Sequence, residues 1–469
     1  MDLGKRNDMR TMPAASRSNL HGVIYQAALH LTGDTLRNLD ALRALEWLPW
    51  EQVMASQQEY LQRLLMHAWT QVPYYREILG EAGAVSGSGA VRLDRFADIP
   101  LLDKVTLHER FEDLKSDDLP DRKWYQNSSG GSTGETATFI LDKAFADWGR
   151  AIGLLFDSWS GYSPGEPRFL VWPVIRDLEG RKVKPRARLG AVLRNETWLD
   201  ARRMTTEEMR SFLGRIDKER PAQIYAHPEN LFELARFAQS QGFKPSPPKS
   251  IVTSGATLFP SMRPTVAEVF DAAIFDRYGS REASGIAAEC EAHGGLHVCP
   301  VLQHLEVLLP DGSPASPGEI GEVVVTPLTN FAMPLIRYRI GDMAAWAEGP
   351  CSCGRAWPLL KEVTGRTRDL FIRGDGTRVR ILESVFSRHP WIRRFQVIQE
   401  DHNAVRAFIV PHDETENAKK NHAAGIAQVE AAITEVMGPE CRVEVILTNQ
   451  IEASPSGKYL HHISKVRSP

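Results

Sequence analysis

Within residues 56–79 the apolar positions Leu61, Leu64, Leu65, Ala68, Trp69 and Val72 recur at i, i+3 and i+4 spacing, which predicts an amphipathic helix with one stripe turned to a core. Pro73 has no amide proton to give a helix and interrupts the pattern, and Tyr74 and Tyr75 follow as an aromatic end. Further along, short apolar runs at 169–175, 223–226, 250–253, 273–275 and 322–327 read as strands, and helix-period stretches such as 206–216 and 230–240 separate them. That alternation predicts an α/β protein in which ligands gather in the loops at strand ends. Residues 1–50 are mixed in character and carry no motif.

The tail follows another pattern. Apolar runs at 395–399, 405–410 and 442–447, with a helical stretch over 418–437 closed by Gly438-Pro439, predict a β-β-α-β unit of α+β type. The Gly365–Asp369 stretch, Gly-Arg-Thr-Arg-Asp, separates the two patterns and predicts a large domain over 1–365 and a small one over 366–469.

Composition removes several classes of function. The 469 residues are 42% hydrophobic and 25% charged, with Gly and Pro spread along the chain, which excludes collagen, coiled coil and wholesale disorder. Lys plus Arg (56) against Asp plus Glu (59) leaves a net charge of −3, so there is no whole-protein basic field for nucleic acid or an anionic membrane, and any bound anion must be held locally. The apolar runs fall well short of a bilayer span, and no uninterrupted signal-peptide core opens the chain, so the expectation is a cytoplasmic protein. Five cysteines are too few for a disulfide framework in a chain of this length.

Three segments carry candidate chemistry. Ser128-Ser129-Gly130-Gly131-Ser132-Thr133-Gly134-Glu135-Thr136 combines glycines, which let backbone approach a ligand, with hydroxyls that can donate to phosphate oxygens. It lacks the lysine of a Walker A loop, since Glu135 follows Gly134; a plain Ser/Gly linker is the bland alternative. Asp276-Arg277-Tyr278-Gly279-Ser280-Arg281-Glu282 places a turn glycine before a hydroxyl and a carboxylate, able to meet a phosphate and a magnesium ion, or simply a salt-bridged surface turn. Ile336-Arg337-Tyr338-Arg339-Ile340-Gly341-Asp342 ends in a carboxylate that could accept both hydroxyls of a ribose, or is a charged edge strand.

In this order, with Gly365-Arg366-Thr367-Arg368-Asp369 and Ser454-Pro455-Ser456-Gly457-Lys458 downstream, the motifs resemble the adenylate-forming superfamily over about residues 55–465. Val72-Pro73-Tyr74-Tyr75 and Asp375-Gly376-Thr377-Arg378-Val379 make the phenylacetate-CoA ligase branch, with its CapK-like members, the nearest match. The resemblance implies a large N-terminal domain of β-sheets and packed helices and a small mobile α+β C-terminal domain. It implies a carboxylic acid attacking the α-phosphate of ATP to give an acyl-adenylate and pyrophosphate, then acyl transfer, by default to coenzyme A.

By the same resemblance, Ser128, Ser129, Gly130, Gly131, Ser132, Thr133 and Gly134 would cradle the β and γ phosphates. Ser254, Gly255 and Ala256 would lie along the adenine, with Tyr278 stacked on it next to Gly279. Ser280 would touch a phosphate, Glu282 would hold Mg2+, Asp342 would bind the ribose and Arg366 would support ribose or phosphate. Lys458 would be the catalytic lysine, its ammonium bridging charge that is rearranged in the transition state. It would be carried on a domain that moves away so that the acceptor can enter. Glu135 and Arg368 depart from residues common at those family positions.

Cys351 and Cys353 flank Ser352 in a tight Pro/Gly turn, and Cys290, His293, His297 and Cys299 lie close together upstream. Two such pairs would give zinc four ligands in a tetrahedron. The spacing leaves His293 or Cys299 as substitutes and buried metal-free cysteines as the alternative. In the resembling branch a structural zinc is frequent, with Gly295-Leu296-His297 as the histidine-bearing segment, which implies Cys290, His297, Cys351 and Cys353.

Trp159, Trp172, Tyr225, His227 and Phe259 are candidates for the acid pocket, Tyr225 and His227 foremost. CapK-like character raises an amine or sugar-linked acceptor in place of coenzyme A, and a homodimer is left open. The rival from another class is a zinc-stabilised nucleotide-binding protein without ligase activity, which would not need Lys458.

Overall fold

The computed structural model describes residues 20–129, 137–173, 185–201, 204–366, 370–379, 381, 384–389, 391–411, 422–452 and 461–466. Its main sheet has eleven strands among these residues. Five are parallel: β3 (Arg168–Trp172), β4 (Glu196–Asp200), β5 (Gln223–Ala226), β6 (Ser250–Ser254) and the first part of β7 (Ala273–Ser280). The rest are antiparallel: β8 (Ser284–Glu289), β9 (Leu296–Val298), β10 (Gln303–Leu308), β11 (Ile320–Pro327), β12 (Tyr338–Trp346) and β13 (Leu359–Arg366). Across the sheet the order is β10-β11-β12-β13-β9-β8-β7-β6-β5-β3-β4. Before it in the chain, β1 (Trp124–Ser128) and β2 (Thr138–Asp142) form an antiparallel hairpin. The protein is therefore a mixed α/β fold.

Local sequence explains the crossovers that parallel pairing requires. Thr205 caps the helix Thr206–Glu219, its Oγ1 accepting from the Glu208 amide at 3.2 Å in a capping box. Pro228 opens the helix Pro228–Ser240 at a position where its missing N–H costs nothing. Covered on both faces, the central strands lose the polar alternation of a half-exposed strand: Ser250 to Thr253 are all buried. The helices pack their apolar stripes on this sheet through Phe212, Leu213, Ile216, Leu231 and Leu234.

The 56–79 stretch is two helices, Trp50–Gln71 and Pro73–Glu81, with Val72 extended between them (φ −119, ψ 112). The residue before a proline is driven out of helical geometry, and Pro73 then starts the second helix. Tyr75 of that helix is fully buried, and its hydroxyl accepts from the Ile336 amide at 2.9 Å. Residues 1–50, which carried no motif, contribute the helices Leu20–Thr32 and Thr35–Leu45.

Past the main sheet, β14 (Phe371–Ile372) and β15 (Arg378–Val379) form a short antiparallel pair. A separate sheet of order β18-β17-β16-β19 follows, built from β16 (Ile392–Asp401), β17 (Ala404–Pro411), β18 (Arg442–Leu447) and β19 (His462–Ser464), with the helix Ala423–Met437 packed on it. The β-β-α-β expectation is met and gains β19, a three-residue strand too short to show a period; the expected helix start, 418–421, lies outside the described residues. This sheet has a hydrophobic cluster of its own, including Phe371, Phe386, Phe395, Val405, Ile409, Val429 and Ile433, and Phe386 stacks on Phe395 at 3.9 Å.

Removing the Tyr75 hydroxyl would strand a buried amide. Tyr75→Phe is expected to lower unfolding free energy by about 1–3 kcal/mol, read from urea denaturation, while the packing around the ring is untouched because ring volume is kept; a change under about 0.5 kcal/mol would show that the amide finds another partner.

Candidate active site

The carboxyl ends of β3, β5, β6 and β7 open toward one side of the sheet, where the chain leaves Trp172, Ala226, Ser254 and Ser280. Gly255 follows β6 at φ +88, and a Cβ there would meet His227 Cδ2 and Trp172 at 3.2 Å each. Only glycine lets this backbone lie against the two rings. Trp172 is 5.7 Å from Tyr225 and 5.9 Å from His227, centroid to centroid, so the three rings make one aromatic wall beside Ser254-Gly255-Ala256. Trp159 does not join them: it packs at 5.9 Å from His297 and 5.7 Å from Trp357, among the cysteines. Phe259 packs on the helix–sheet core behind the strands.

After β7 the chain turns back into β8 through Arg281, Glu282 and Ala283. A Cβ on Gly279 would lie 2.5 Å from the Ser284 carbonyl, so the hairpin closes only with glycine there. Ser280 Oγ accepts from the Ala283 amide at 3.0 Å, which fixes the turn and leaves its proton for another acceptor. Glu282 is buried. Tyr278 donates its hydroxyl to Asp342 Oδ2 at 2.8 Å, and Arg366 Nε lies 3.4 Å from Asp342 Oδ1. Burial first, and then the Asp342 charge, push the Tyr278 phenol well above its ordinary value, so it stays a donor. Asp342 thus joins the second and third motifs and the end of β13. Its strand is interior, between β11 and β13, rather than an edge.

Ser128 pairs with Thr138 at the end of the hairpin, and Ser129 exchanges backbone and side-chain hydrogen bonds with Ala137 (2.8 and 2.9 Å). Gly130, Gly131, Ser132, Thr133, Gly134, Glu135 and Thr136 lie outside the described residues, as do Thr367, Arg368, Asp369 and Lys458.

Two further carboxylates, Asp157 buried and Glu229 partly buried, were not singled out by sequence. Asp157 lies 2.5 Å from both Arg168 and Arg277, whose guanidinium carbons sit 5.7 and 5.8 Å from the Tyr225 ring centre. Glu229 sits beside His227; an acid in the first turn of a helix that follows a histidine was the available signal.

Away from this wall, one donor atom from each of Cys290, His297, Cys351 and Cys353 lies within 4.8 Å of the others. Cys290 Sγ and Cys351 Sγ are 3.6 Å apart, and Cys353 Sγ is 3.4 Å from His297 Nε2. Tetrahedral zinc with ordinary bond lengths would set these separations at about 3.8 and about 3.6 Å, so the donor set fits. Burial, and then Arg355, hold the His297 ring down at about 4, so it is neutral and able to ligate. Burial lifts the Cys290 thiol to about 12, whereas at Cys351 backbone amides and the neighbouring thiols outweigh burial and the shift is downward. The two substitutes are placed elsewhere. His293 faces Glu289 at 3.4 Å and Phe275 at 4.6 Å, and Cys299 is fully buried in the hydrophobic core.

Known proteins share this architecture. Residues 371–465 match the CapK C-terminal domain family. The phenylacetate-coenzyme A ligase of Thermus thermophilus is 27% identical over 371 residues, covering 74% of this chain and 78% of that one. Protein CapK of Staphylococcus aureus is 22% identical over 358 residues, covering 74% and 75%. Among solved structures, 2-hydroxyisobutyryl-CoA ligase in its postadenylation state with R3-HIB-AMP superposes with a TM-score of 0.70 at 20% identity, over 90% of this chain and 91% of that one. The same ligase in its thioesterification state, with 2-HIB-AMP and CoA, gives 0.56 at 22% identity, over 89% and 91%. The chain is thus similar over about three quarters of its length to phenylacetate-coenzyme A ligases and to protein CapK, carries a CapK C-terminal domain match, and shares its fold with an acyl-CoA ligase.

Asp276, at the foot of the second motif, accepts from Thr253 Oγ1 at 2.8 Å, and its amide donates to Glu289 Oε2 at 2.8 Å. Burial, and then Glu289, raise its carboxyl from 3.8 to about 7. The folded chain therefore keeps a proton that the unfolded chain releases, and this group's effect is to lower stability as pH rises from about 4 to about 7. Asp276→Asn is expected to make the urea midpoint less sensitive to pH between about 5 and about 7.5; an unaltered pH dependence would count against a protonated Asp276.

Proposed function

We propose that the protein is an AMP-forming carboxylate ligase: it activates a carboxylic acid with ATP as an acyl-adenylate, releases pyrophosphate and passes the acyl group to an acceptor, by default coenzyme A. The observation that carries this reading is the convergence of Ser254-Gly255-Ala256, Tyr278, Ser280, Glu282, Asp342 and Arg366 at the carboxyl ends of the parallel strands, where open α/β sheets bind nucleotides. The ligase relatives support it.

In this reading Ser254–Ala256 and the Tyr278 ring hold the adenine, and Asp342, already positioned by Tyr278 and Arg366, takes the ribose hydroxyls. Ser128 and Ser129, with Gly130, Gly131, Ser132, Thr133 and Gly134, receive the β and γ phosphates, and Ser280 donates to a phosphate oxygen. Glu282 holds Mg2+, which neutralises phosphate charge when bound. Tyr225 and His227, with Trp172, face the acid. The chain divides at 365/366, and the small domain brings Lys458 to the α-phosphate, where its ammonium meets the negative charge shared by carboxylate and leaving pyrophosphate.

Cys290, His297, Cys351 and Cys353 hold a structural zinc; with four protein ligands it has no open position for substrate. A second reading of the acceptor, an amine or a sugar-linked group, is favoured by the CapK C-terminal domain match over 371–465.

ATP–pyrophosphate exchange over a panel of carboxylic acids tests the ligase reading. One class of acid is expected to support exchange, and Lys458→Ala to lower it by on the order of 10²; exchange unchanged in that variant would remove the lysine from the mechanism, and no exchange with any acid would favour a binding protein. Elemental analysis is expected to find about one zinc per chain, and chelation or Cys351→Ser to lower the melting temperature; a metal-free protein of full stability would refute the metal site.

A further inference from the structure

One carboxylate stands between two imidazoles that belong to different parts of the chain. Glu229 Oε2 is 3.5 Å from His227 Nδ1, and Glu229 Oε1 is 3.0 Å from His461 Nε2. His227 directly follows β5 in the main sheet, and its Cδ2–Nε2 edge faces Gly255, since a Cβ on that glycine would meet these atoms at 3.2 and 3.6 Å. His461 immediately precedes β19 in the C-terminal sheet. Glu229 therefore links the aromatic wall of the site to the C-terminal sheet.

The surroundings make this a docking surface as well. Arg394 Nη2 meets Glu233 Oε2 at 2.6 Å, and Arg236 Nη1 donates to the Ile392 carbonyl at 2.5 Å. A small cavity of about 50 Å³ lies between the two parts, with Glu229, Glu233, Arg394, Phe395 and His461 in its wall. His227 is 1% exposed and Glu229 and His461 14% each, so water screens the carboxylate from the two rings only weakly.

Resting on the ligase reading above, we infer that Glu229 is a positioning residue whose hold on His227 depends on where the C-terminal part sits. In the arrangement described, His461 has the closer contact with the carboxylate, and the 3.5 Å to His227 is long for a hydrogen bond. When the C-terminal part moves for acyl transfer, His461 leaves and the carboxylate closes on His227 Nδ1–H. That fixes the tautomer with a basic Nε2 on the Gly255 side, where the acyl-adenylate lies. In the transfer step the acceptor S–H gives its proton to Nε2 and the sulfur forms a bond to the acyl carbon. The bond from that carbon to the phosphate oxygen breaks, and AMP leaves with the electron pair. An amine acceptor reacts in the same way through N–H. Docking of His461 thus reserves the base while adenylation proceeds, and its departure releases it.

Two rates separate this role from a structural one in the full-length protein: ATP–pyrophosphate exchange for adenylation, and single-turnover AMP release from acyl-adenylate on adding coenzyme A, or hydroxylamine where coenzyme A gives no turnover in the wild type. Glu229→Gln is expected to slow AMP release by on the order of 10² while exchange falls less than about tenfold, and Glu229→Asp to recover part of the transfer rate. His461→Ala is expected to do the reverse, lowering exchange more than transfer. Equal losses in both rates for Glu229→Gln, or transfer within twofold of wild type, would overturn the inference and leave the ligase reading standing. Absence of exchange with every acid in the wild type would overturn the ligase reading and this inference with it.

Discussion

Strand β7 has to satisfy two different neighbours, and the site exists because it does. On one side it runs parallel to β6, which demands a crossover through the helix Met262–Phe270; on the other it runs antiparallel to β8, which demands a tight turn. The turn comes where the parallel strands end, so Tyr278, Ser280 and Glu282 are delivered to the same side of the sheet as Gly255 and His227. Gly279 makes this possible by allowing the Ser284 carbonyl to approach to a distance no side chain tolerates. The Tyr278–Asp342 hydrogen bond then ties the parallel half of the sheet to the β12–β13 pair.

Charge in this region is matched locally. A chain of net charge −3 has no long-range field for a polyphosphate, and the arginines near the wall, Arg168 and Arg277, are already paired with Asp157. What remains at the proposed nucleotide site is a set of hydroxyls, backbone amides and single charges whose directions are fixed by strand ends and a turn. Such preorganised groups gain strength where water is excluded, and they need no net charge to do so.

Much of this was legible in the sequence, for physical reasons that can be named. Long periodic stretches, such as the helix Trp50–Gln71, and buried strands such as β5 and β6 carry their pattern in consecutive residues. The motif residues Gly279, Ser280 and Asp342 are chosen by local backbone and chemistry, and the cysteine spacing reduced the ligand question to a few candidates. Other features depend on contacts distant in sequence and left no local mark. Three-residue strands such as β9 and β19 have no period to read, and the order of the eleven strands is set by pairing. Trp159 and Trp172 look alike in sequence, yet one packs beside the cysteines and the other beside His227. The proximity of Glu229 to His461 likewise follows only from how two sheets meet.

The cysteine–histidine cluster has a topological consequence. β9 is three residues long, and it is the link between β8 and β13 in the antiparallel part of the sheet. Of the donors, Cys290 directly follows β8 and His297 lies in β9, and the other two precede β13. An ion held by all four would be a cross-link that encloses β10, β11 and β12 in a single loop. By the entropy argument used for covalent bridges, closing a loop of that size costs the unfolded chain about 4 kcal/mol of freedom. The shortest strand of the sheet would then be secured by the shortened reach of the unfolded chain as well as by its own few hydrogen bonds.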